Sequence, residues 1–142
     1  MAEIEISFCI VNYNSRDYLR DCLHSLKEHC SGLTYEIIVV DNHSQDGTYE
    51  MLADEFPEAF WVELPENEGY TRPMNIALKR GKGRYLVQLN PDTLVLPETF
   101  QCLVSFMESH PQIGICTPRV LNRDLTLQRQ CRRSAARPWD VF

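Results

Sequence analysis

Three short polar segments each follow an apolar run, and their residue types suit the binding of a nucleotide and a cation. They are Asn12-Tyr13-Asn14, Asp41-Asn42 and Asn90-Pro91-Asp92. Asp41 or Asn42 could accept a hydrogen bond from a base N–H, while Tyr13 offers an aromatic face for stacking. Asp92 supplies a carboxylate, and carboxylate oxygen is a preferred ligand of hard divalent cations. Each segment also has a structural alternative, since the carboxylates could cap turns or helices and Tyr13 could belong to the core.

The elements that position these segments are strands alternating with helices. Strands are predicted at residues 4–13, 36–41, 60–64, the first half of 85–93, and 113–117, and helices begin near residues 15, 48, 71 and 97. This alternation predicts an α/β fold with right-handed crossovers and a mainly parallel sheet. Ligands of such sheets bind at the carboxyl ends of the strands, which is where the polar segments fall.

Composition narrows the function classes. The chain has 142 residues, enough for one domain, and its formal net charge of −6 argues against general nucleic-acid binding. The six cysteines lack Cys-x-x-Cys spacing, so we do not expect a zinc site. The sequence shows no signal peptide and no apolar run of transmembrane length, so we expect a cytoplasmic location.

The pattern changes from Pro118 onward. Residues 121–127 predict a hairpin around Asn122-Arg123-Asp124. A basic tail follows, and its arginines could meet acidic lipid headgroups, a diphosphate acceptor or a further domain. They are Arg129, Arg132, Arg133 and Arg137. Nothing marks a natural terminus at Phe142, so we expect that the sequence was cut from a longer protein.

Four segments, taken in order, resemble family 2 glycosyltransferases. They are Ile10-Val11-Asn12-Tyr13-Asn14-Ser15, residues 38–48 (IVVDNHSQDGT), Asn67-Glu68-Gly69-Tyr70 with Asn75, Ala77 and Leu78, and Leu89-Asn90-Pro91-Asp92-Thr93. The last segment matches the Asp-x-Asp position of the family, here with Asn90 first. That segment and residues 127–133 (LQRQCRR) are similar to the rhamnosyltransferase-like branch.

The resemblance implies a GT-A fold, truncated at the C-terminus, a nucleotide-diphosphate-sugar donor, a divalent cation (Mn or Mg) and inversion at the anomeric carbon. By position, the nucleotide-binding residues would be Val11, Tyr13, Asp41, Asn42, Arg72, Asn75 and Asn90. Asp92 would bind the metal. Residues 1–117 would form the nucleotide-sugar-binding domain, and residues 118–142 would begin the acceptor side.

The acceptor would be a glycan or a lipid-linked molecule, and in the second case the protein would make peripheral contact with the cytoplasmic face of a membrane. No segment after Asp92 resembles the catalytic-base motif of the family, so we expect the base beyond residue 142. A non-catalytic module of the same fold, binding a nucleotide or a protein partner, is the alternative. A dinucleotide-binding oxidoreductase would need a Gly-x-Gly-x-x-Gly turn after the first strand, where Asn12-Tyr13-Asn14-Ser15 stands instead.

Overall fold

The computed structural model describes residues 3–129, and the chain divides into two compact units, residues 1–101 and 102–142. The first unit contains a four-stranded parallel sheet in the order β3-β2-β1-β4. The strands are β1 (Ile6–Asn12), β2 (Tyr35–Asp41), β3 (Phe60–Glu63) and β4 (Tyr85–Leu89). The helices are α1 (Arg16–His29), α2 (Thr48–Glu55), α3 (Thr71–Arg80) and α4 (Thr99–Ser109). The predicted α/β class and parallel sheet are therefore confirmed.

Apolar residues cover both faces of the central strands. Cys9 and Val11 of β1 pack with Ile38 of β2 and with Met74 and Ala77 of α3. Successive strand residues point to opposite faces, so the alternate residues form a second buried layer. That layer includes Phe8, Ile10 and Val39, all fully buried. A strand buried on both faces needs a nearly continuous apolar run, which is the pattern found in β1.

The first three helices begin where the sequence predicted. Ser15 is the N-cap of α1 but makes no side-chain cap hydrogen bond, and Gly47, which has no side chain to make one, precedes α2. Pro73 lies in the first turn of α3, where its missing N–H leaves no helical hydrogen bond unmade. No helix among residues 3–129 is long and apolar enough to span a membrane.

Two details differ from the sequence prediction. Residues 113–117, predicted as a fifth strand, form irregular chain, and Ile115 is 90% exposed. A short apolar run becomes a strand only when a neighbour pairs with it, and no described strand does so here. The second difference concerns β4. Its apolar run is typical of a buried strand, but its residues alternate between half-buried and exposed up to Leu89, and Leu86 is exposed.

The second unit contains the turn predicted near residue 123. Leu121 and Leu127 form an antiparallel bridge, and the Asn122 N–H donates to the Thr126 carbonyl at 2.8 Å. Leu125 adopts φ +65° to complete the reversal. Of the predicted basic tail, only Arg129 belongs to the described residues, and the other arginines lie outside them.

Candidate active site

The carboxyl ends of all four strands meet at one edge of the sheet. Asn12 is the register partner of Asp41, which in turn pairs with Glu63. Leu89, the last residue of β4, pairs with Ile10, so the segment carrying Asp92 leaves the sheet at this same edge. The register therefore places Asp41 and Asp92 at one edge, as the sequence predicted.

Asp41 is 5% exposed and lies in a hydrogen-bond network. Its Oδ1 accepts from Asn12 Nδ2 at 2.8 Å and from Ser44 Oγ at 2.7 Å. Its Oδ2 accepts from the Ser44 backbone N–H at 2.8 Å. Asp41 is thus a turn carboxylate, which was the structural alternative. A carboxylate oxygen can accept two hydrogen bonds, so Oδ2 keeps room for one donor from a ligand.

The loops after β1 and β2 are joined by hydrogen bonds between their side chains and backbone. The Asn14 N–H donates to Ser44 Oγ at 2.8 Å, and the Gln45 N–H donates to Asn14 Oδ1 at 2.9 Å. Asn14 and His43 both adopt left-handed backbone conformations, with φ +48° and +69°. These bonds and the two left-handed residues therefore set the shape of this edge.

Asp46 links the starts of α1 and α2. Its Oδ2 accepts the Arg16 N–H at 2.9 Å, while its Oδ1 accepts from Thr48 Oγ1 at 2.6 Å. Burial alone would raise the pKa of Asp46, but the bonds from Thr48 and Arg16 outweigh it and the pKa lies below its ordinary value. Gly47 follows with φ +80°, and a Cβ there would lie 3.3 Å from Arg16 Nη1.

Asn42 holds the loop between β3 and α3. Its Nδ2 donates to Asn67 Oδ1 and to the Gly69 carbonyl, both at 2.8 Å, and its Oδ1 accepts the Glu68 N–H at 2.9 Å. Both N–H groups of this 3% exposed amide are therefore used inside the protein. A ligand contact from Asn42 is limited to the remaining lone pair of Oδ1.

Arg72 and Asn75 occupy the exposed side of α3 near this loop. Arg72 Nε lies 2.9 Å from Glu68 Oε2, an ion pair that lacks hydrogen-bond alignment. The Arg72 side chain is 73% exposed, whereas the Glu68 side chain is only 11% exposed. The guanidinium keeps most of its donors available for an anionic group.

Tyr13 and Val11, both predicted to bind the nucleotide, have different environments. Tyr13 is 48% exposed at the edge, so its ring can be reached by a ligand. Val11 is buried in the core shared with α3. His43, between the two loops, is half-buried and its Nδ1 has no partner within the described part of the chain.

Asp92 lies in an exposed turn after β4. The Thr93 N–H donates to the Asn90 carbonyl at 3.2 Å, and both Asn90 and Asp92 are exposed. The Asp92 charge also acts on Cys22 of α1. Burial, with a smaller contribution from that charge, raises the pKa of the Cys22 thiol to about 12. Among residues 3–129 no three potential ligand side chains gather into a metal cluster.

A cleft of about 360 Å³ opens beside Asp41, between α2 and β3. Its wall includes Tyr49, Trp61, Glu50 and Glu63. Asp41 is the single predicted site residue that lines it. The wall has carboxylates and no basic side chain, so this cleft does not suit a diphosphate.

The profile of the family described as "Glycosyl transferase family 2" matches residues 7–139. The chain belongs to this family. A protein of Bacillus subtilis (strain 168) named as a teichuronic acid biosynthesis glycosyltransferase, TuaG, is 34% identical over 105 residues, covering 72% of this chain and 41% of that protein. Poly-beta-1,6-N-acetyl-D-glucosamine synthase of Staphylococcus aureus (strain MSSA476) is 28% identical over 129 residues, covering 86% and 30%.

Solved structures of other proteins share the fold. Staphylococcus aureus TarS 1–349 in complex with UDP superposes with a TM-score of 0.70 at 27% identity, covering 76% of this chain and 33% of that one. Mannosyltransferase PcManGT from Pyrobaculum calidifontis, in complex with GDP-Man and Mn²⁺, gives a TM-score of 0.70 at 25% identity, covering 80% and 35%. The fold is thus the GT-A type. The chain spans less than half the length of the curated relatives it matches.

Proposed function

We propose that this chain is the donor-binding part of an inverting glycosyltransferase that uses a nucleotide-diphosphate sugar and a divalent cation. The observation that carries the proposal is that Tyr13, Asp41 and Asp92 lie along one carboxyl edge of the sheet in a member of this family. The base would stack on the exposed ring of Tyr13. One of its N–H groups would donate to the free lone pair of Asp41 Oδ2.

The remaining nucleotide contacts follow the edge toward Asp92. Arg72 offers an exposed guanidinium to the diphosphate, and Asn75 lies one helical turn away on α3. Asn90 offers its side-chain amide to the ribose or the donor sugar. We assign Asn42 mainly to holding the loop of residues 67–69, with its free Oδ1 lone pair facing the nucleotide.

The residues present fit a divalent cation only together with the diphosphate. Asp92 is exposed, and its carboxylate forms no hydrogen bond or ion pair with the described residues. One carboxylate is too few for a cation site made by protein alone, but Mg²⁺ sites commonly combine one or two carboxylates with substrate phosphates. When bound, the cation would stabilise the charge that develops on the leaving diphosphate.

In the reaction that we propose, an acceptor hydroxyl oxygen bonds to the anomeric carbon from the face opposite the diphosphate. The bond from that carbon to the diphosphate oxygen breaks, and its electron pair leaves with the nucleoside diphosphate. The proton of the hydroxyl passes to a general base. We place that base outside residues 1–142, because no carboxylate after Asp92 has the context of the family's base motif.

The finer identity of the substrates is also a proposal. TarS structures contain UDP and UDP-GlcNAc, so uridine nucleotides are the first donors to test. The rhamnosyltransferase-like segments add dTDP-rhamnose to the set. We infer a glycan or lipid-linked acceptor at the cytoplasmic face of a membrane, with residues 1–117 binding the donor and residues 118–142 beginning the acceptor side.

Calorimetric titration of the 142-residue chain with UDP, GDP, dTDP and ADP, with and without Mn²⁺, tests the proposal. We expect one nucleotide to bind more tightly when Mn²⁺ is present. A chain that binds none of the four under either condition would rule out the donor-binding role. Metal-independent binding of equal affinity would remove the cation from the proposal and leave the nucleotide site.

A further inference from the structure

The turn that carries Asp92 contacts helix α1 at two points, and Gln101 of α4, further along the chain, makes a third contact. Cys22 Sγ lies 3.8 Å from the Asn90 carbonyl oxygen. Ser25 Oγ accepts the Val95 backbone N–H at 3.0 Å. Gln101 Nε2 donates to the His29 carbonyl at 2.9 Å. The segment after β4 is therefore fixed by α1 on both sides of Asp92.

Ser25 makes the central attachment. Its hydroxyl donates to the Cys22 carbonyl at 2.7 Å while it accepts from Val95. Ser25 is 9% exposed and Val95 is 5% exposed, so water cannot readily replace the hydroxyl as a partner of the Val95 N–H. Removing this hydroxyl would leave a buried donor unpaired three residues after Asp92.

The side chain of Asp92 has no hydrogen bond of its own within residues 3–129, so the backbone of the turn sets the position of its Cα and the region that its carboxylate can reach. A metal-binding carboxylate must be held within ~0.5 Å of its productive position. Ser25 fixes one end of that turn without reaching the ligand itself.

We propose that Ser25 is a positioning residue for the Asp92 carboxylate, fixing the turn of residues 90–95 so that Asp92 can meet a cation held by the diphosphate. This inference rests on the proposed function. It extends the site to a buried residue of α1 that the four sequence motifs do not include.

The test measures Mn²⁺ binding to the 142-residue chain saturated with UDP, using the electron paramagnetic resonance signal of free Mn²⁺. We expect Ser25→Ala to raise the dissociation constant of Mn²⁺ by about 10-fold. That is the lower end of the 10- to 100-fold loss seen when a partner bonded directly to a metal ligand is removed, because Ser25 acts on Asp92 through the Val95 backbone. The affinity for UDP without metal should stay at the wild-type value.

Ser7→Ala is the matched control. Ser7 is fully buried, its Oγ accepts the Gly83 N–H at 2.7 Å, and it donates to Glu36 Oε1 at 2.6 Å. It therefore resembles Ser25 in burial and bonding, but it lies at the amino end of the sheet, where β1 and β4 begin. We expect Ser7→Ala to lower thermal stability while the Mn²⁺ affinity stays unchanged.

The outcomes test the role of Ser25 separately from the metal site of the proposed function. Unchanged Mn²⁺ affinity in Ser25→Ala, or an equal loss in Ser7→Ala, overturns the role of Ser25. If wild-type protein shows no Mn²⁺-dependent UDP binding, or if Asp92→Ala binds Mn²⁺ as tightly as wild type, the metal part of the proposed function fails as well.

Should Ser25→Ala not fold, Ser25→Thr and Ser25→Cys replace it. Threonine keeps the hydroxyl and should retain Mn²⁺ affinity, whereas the weaker acceptor of cysteine should reduce it, and equal affinities would overturn the proposal.

Discussion

The Asp46 carboxylate accepts the Arg16 backbone N–H at 2.9 Å, which ties the first turn of α1 to the loop that precedes α2. The other oxygen accepts from Thr48 at the start of α2. One carboxylate therefore caps two helices, replacing the side-chain cap that Ser15 does not make. The bond between Arg16 and Asp46 also joins the loop that follows Tyr13 to the loop that follows Asp41.

We expect Asp46→Ala to lower the free energy of unfolding by about 1–2 kcal/mol, because cap removal typically costs that much. Asp46→Asn should lose less, since its amide oxygen can still accept one of the N–H groups. Asp54→Ala is the matched control, because Asp54 is an exposed aspartate within α2, whereas Asp46 precedes that helix. Urea denaturation of the variants measures the differences, and equal losses at both positions would contradict the capping role.

The capping contribution of Asp46 should depend on pH. The folded-state pKa lies below the ordinary value of 3.8, so the stabilisation is fully present above that value. It is lost as the pH falls through the folded-state pKa, because the carboxylate is then protonated in both states. The stability difference between wild type and Asp46→Ala should therefore shrink below about pH 4. A difference that stays constant down to pH 2 would exclude this explanation.

Asp92→Ala should abolish metal-dependent binding of UDP and leave the fold intact. The carboxylate is exposed and makes no hydrogen bond or ion pair with residues 3–129, so its loss breaks no such bond among them. Losing a carboxylate–metal contact should remove several kcal/mol of charge stabilisation. Calorimetry with Mn²⁺ present measures the binding, and thermal unfolding checks the fold. Asp124→Ala, which removes a carboxylate of the turn around residue 124, is the control. Equal UDP affinity in Asp92→Ala and wild type would refute the assignment.

Tyr13→Ala should weaken UDP binding whether or not Mn²⁺ is present, because in our proposal the ring stacks on the base and does not contact the metal. Stacking of a base on an aromatic side chain is worth about 1–3 kcal/mol, so we expect a loss of about 5- to 150-fold. Tyr18→Ala is the matched control, since Tyr18 is similarly exposed at 54% on the neighbouring helix α1. If the two variants bind UDP equally, Tyr13 does not stack on the base.

The main elements were predictable because their signals are local. β1 and β2 are nearly continuous apolar runs that end in polar residues, and parallel strands must bring those ends to one edge. The bonds that shape the edge were not predictable in this way. Asn14 meets Ser44 across 30 residues of chain, and no local pattern reveals such a partner.

The attachment of the Asp92 turn to Ser25 was missed for the same reason. The spacing of apolar residues along α1 indicates which face of the helix is buried but not what Ser25 bonds to. Its partner Val95 is 70 residues away in the sequence. Residues 113–117 show the opposite error, a strand that was predicted but does not form. Their residue types favour a strand, but a strand also needs a pairing partner, and the local sequence does not show whether one is present.

The last prediction is that the 142-residue chain binds a nucleoside diphosphate but transfers no sugar. The residues proposed for donor binding lie between Val11 and Asp92, all within the first compact unit. We place the general base elsewhere, and its loss typically lowers a rate by about 10²- to 10⁴-fold. In our proposal residues 118–142 only begin the acceptor side, so the positioning of the acceptor hydroxyl is lost as well, which can lower the rate further still. Hydrolysis of the donor by water should be the residual reaction.

A labelled donor sugar incubated with a crude glycan and lipid extract measures both reactions. The comparison is between the 142-residue chain and the relative TuaG, of which this chain covers 41%. Asp92→Ala of the present chain is the control, since it should lose even the metal-dependent hydrolysis. Sugar transfer by the 142-residue chain at a rate near that of TuaG would mean that the base lies within these residues. The carboxylates after Asp92 would then be the residues to replace one by one.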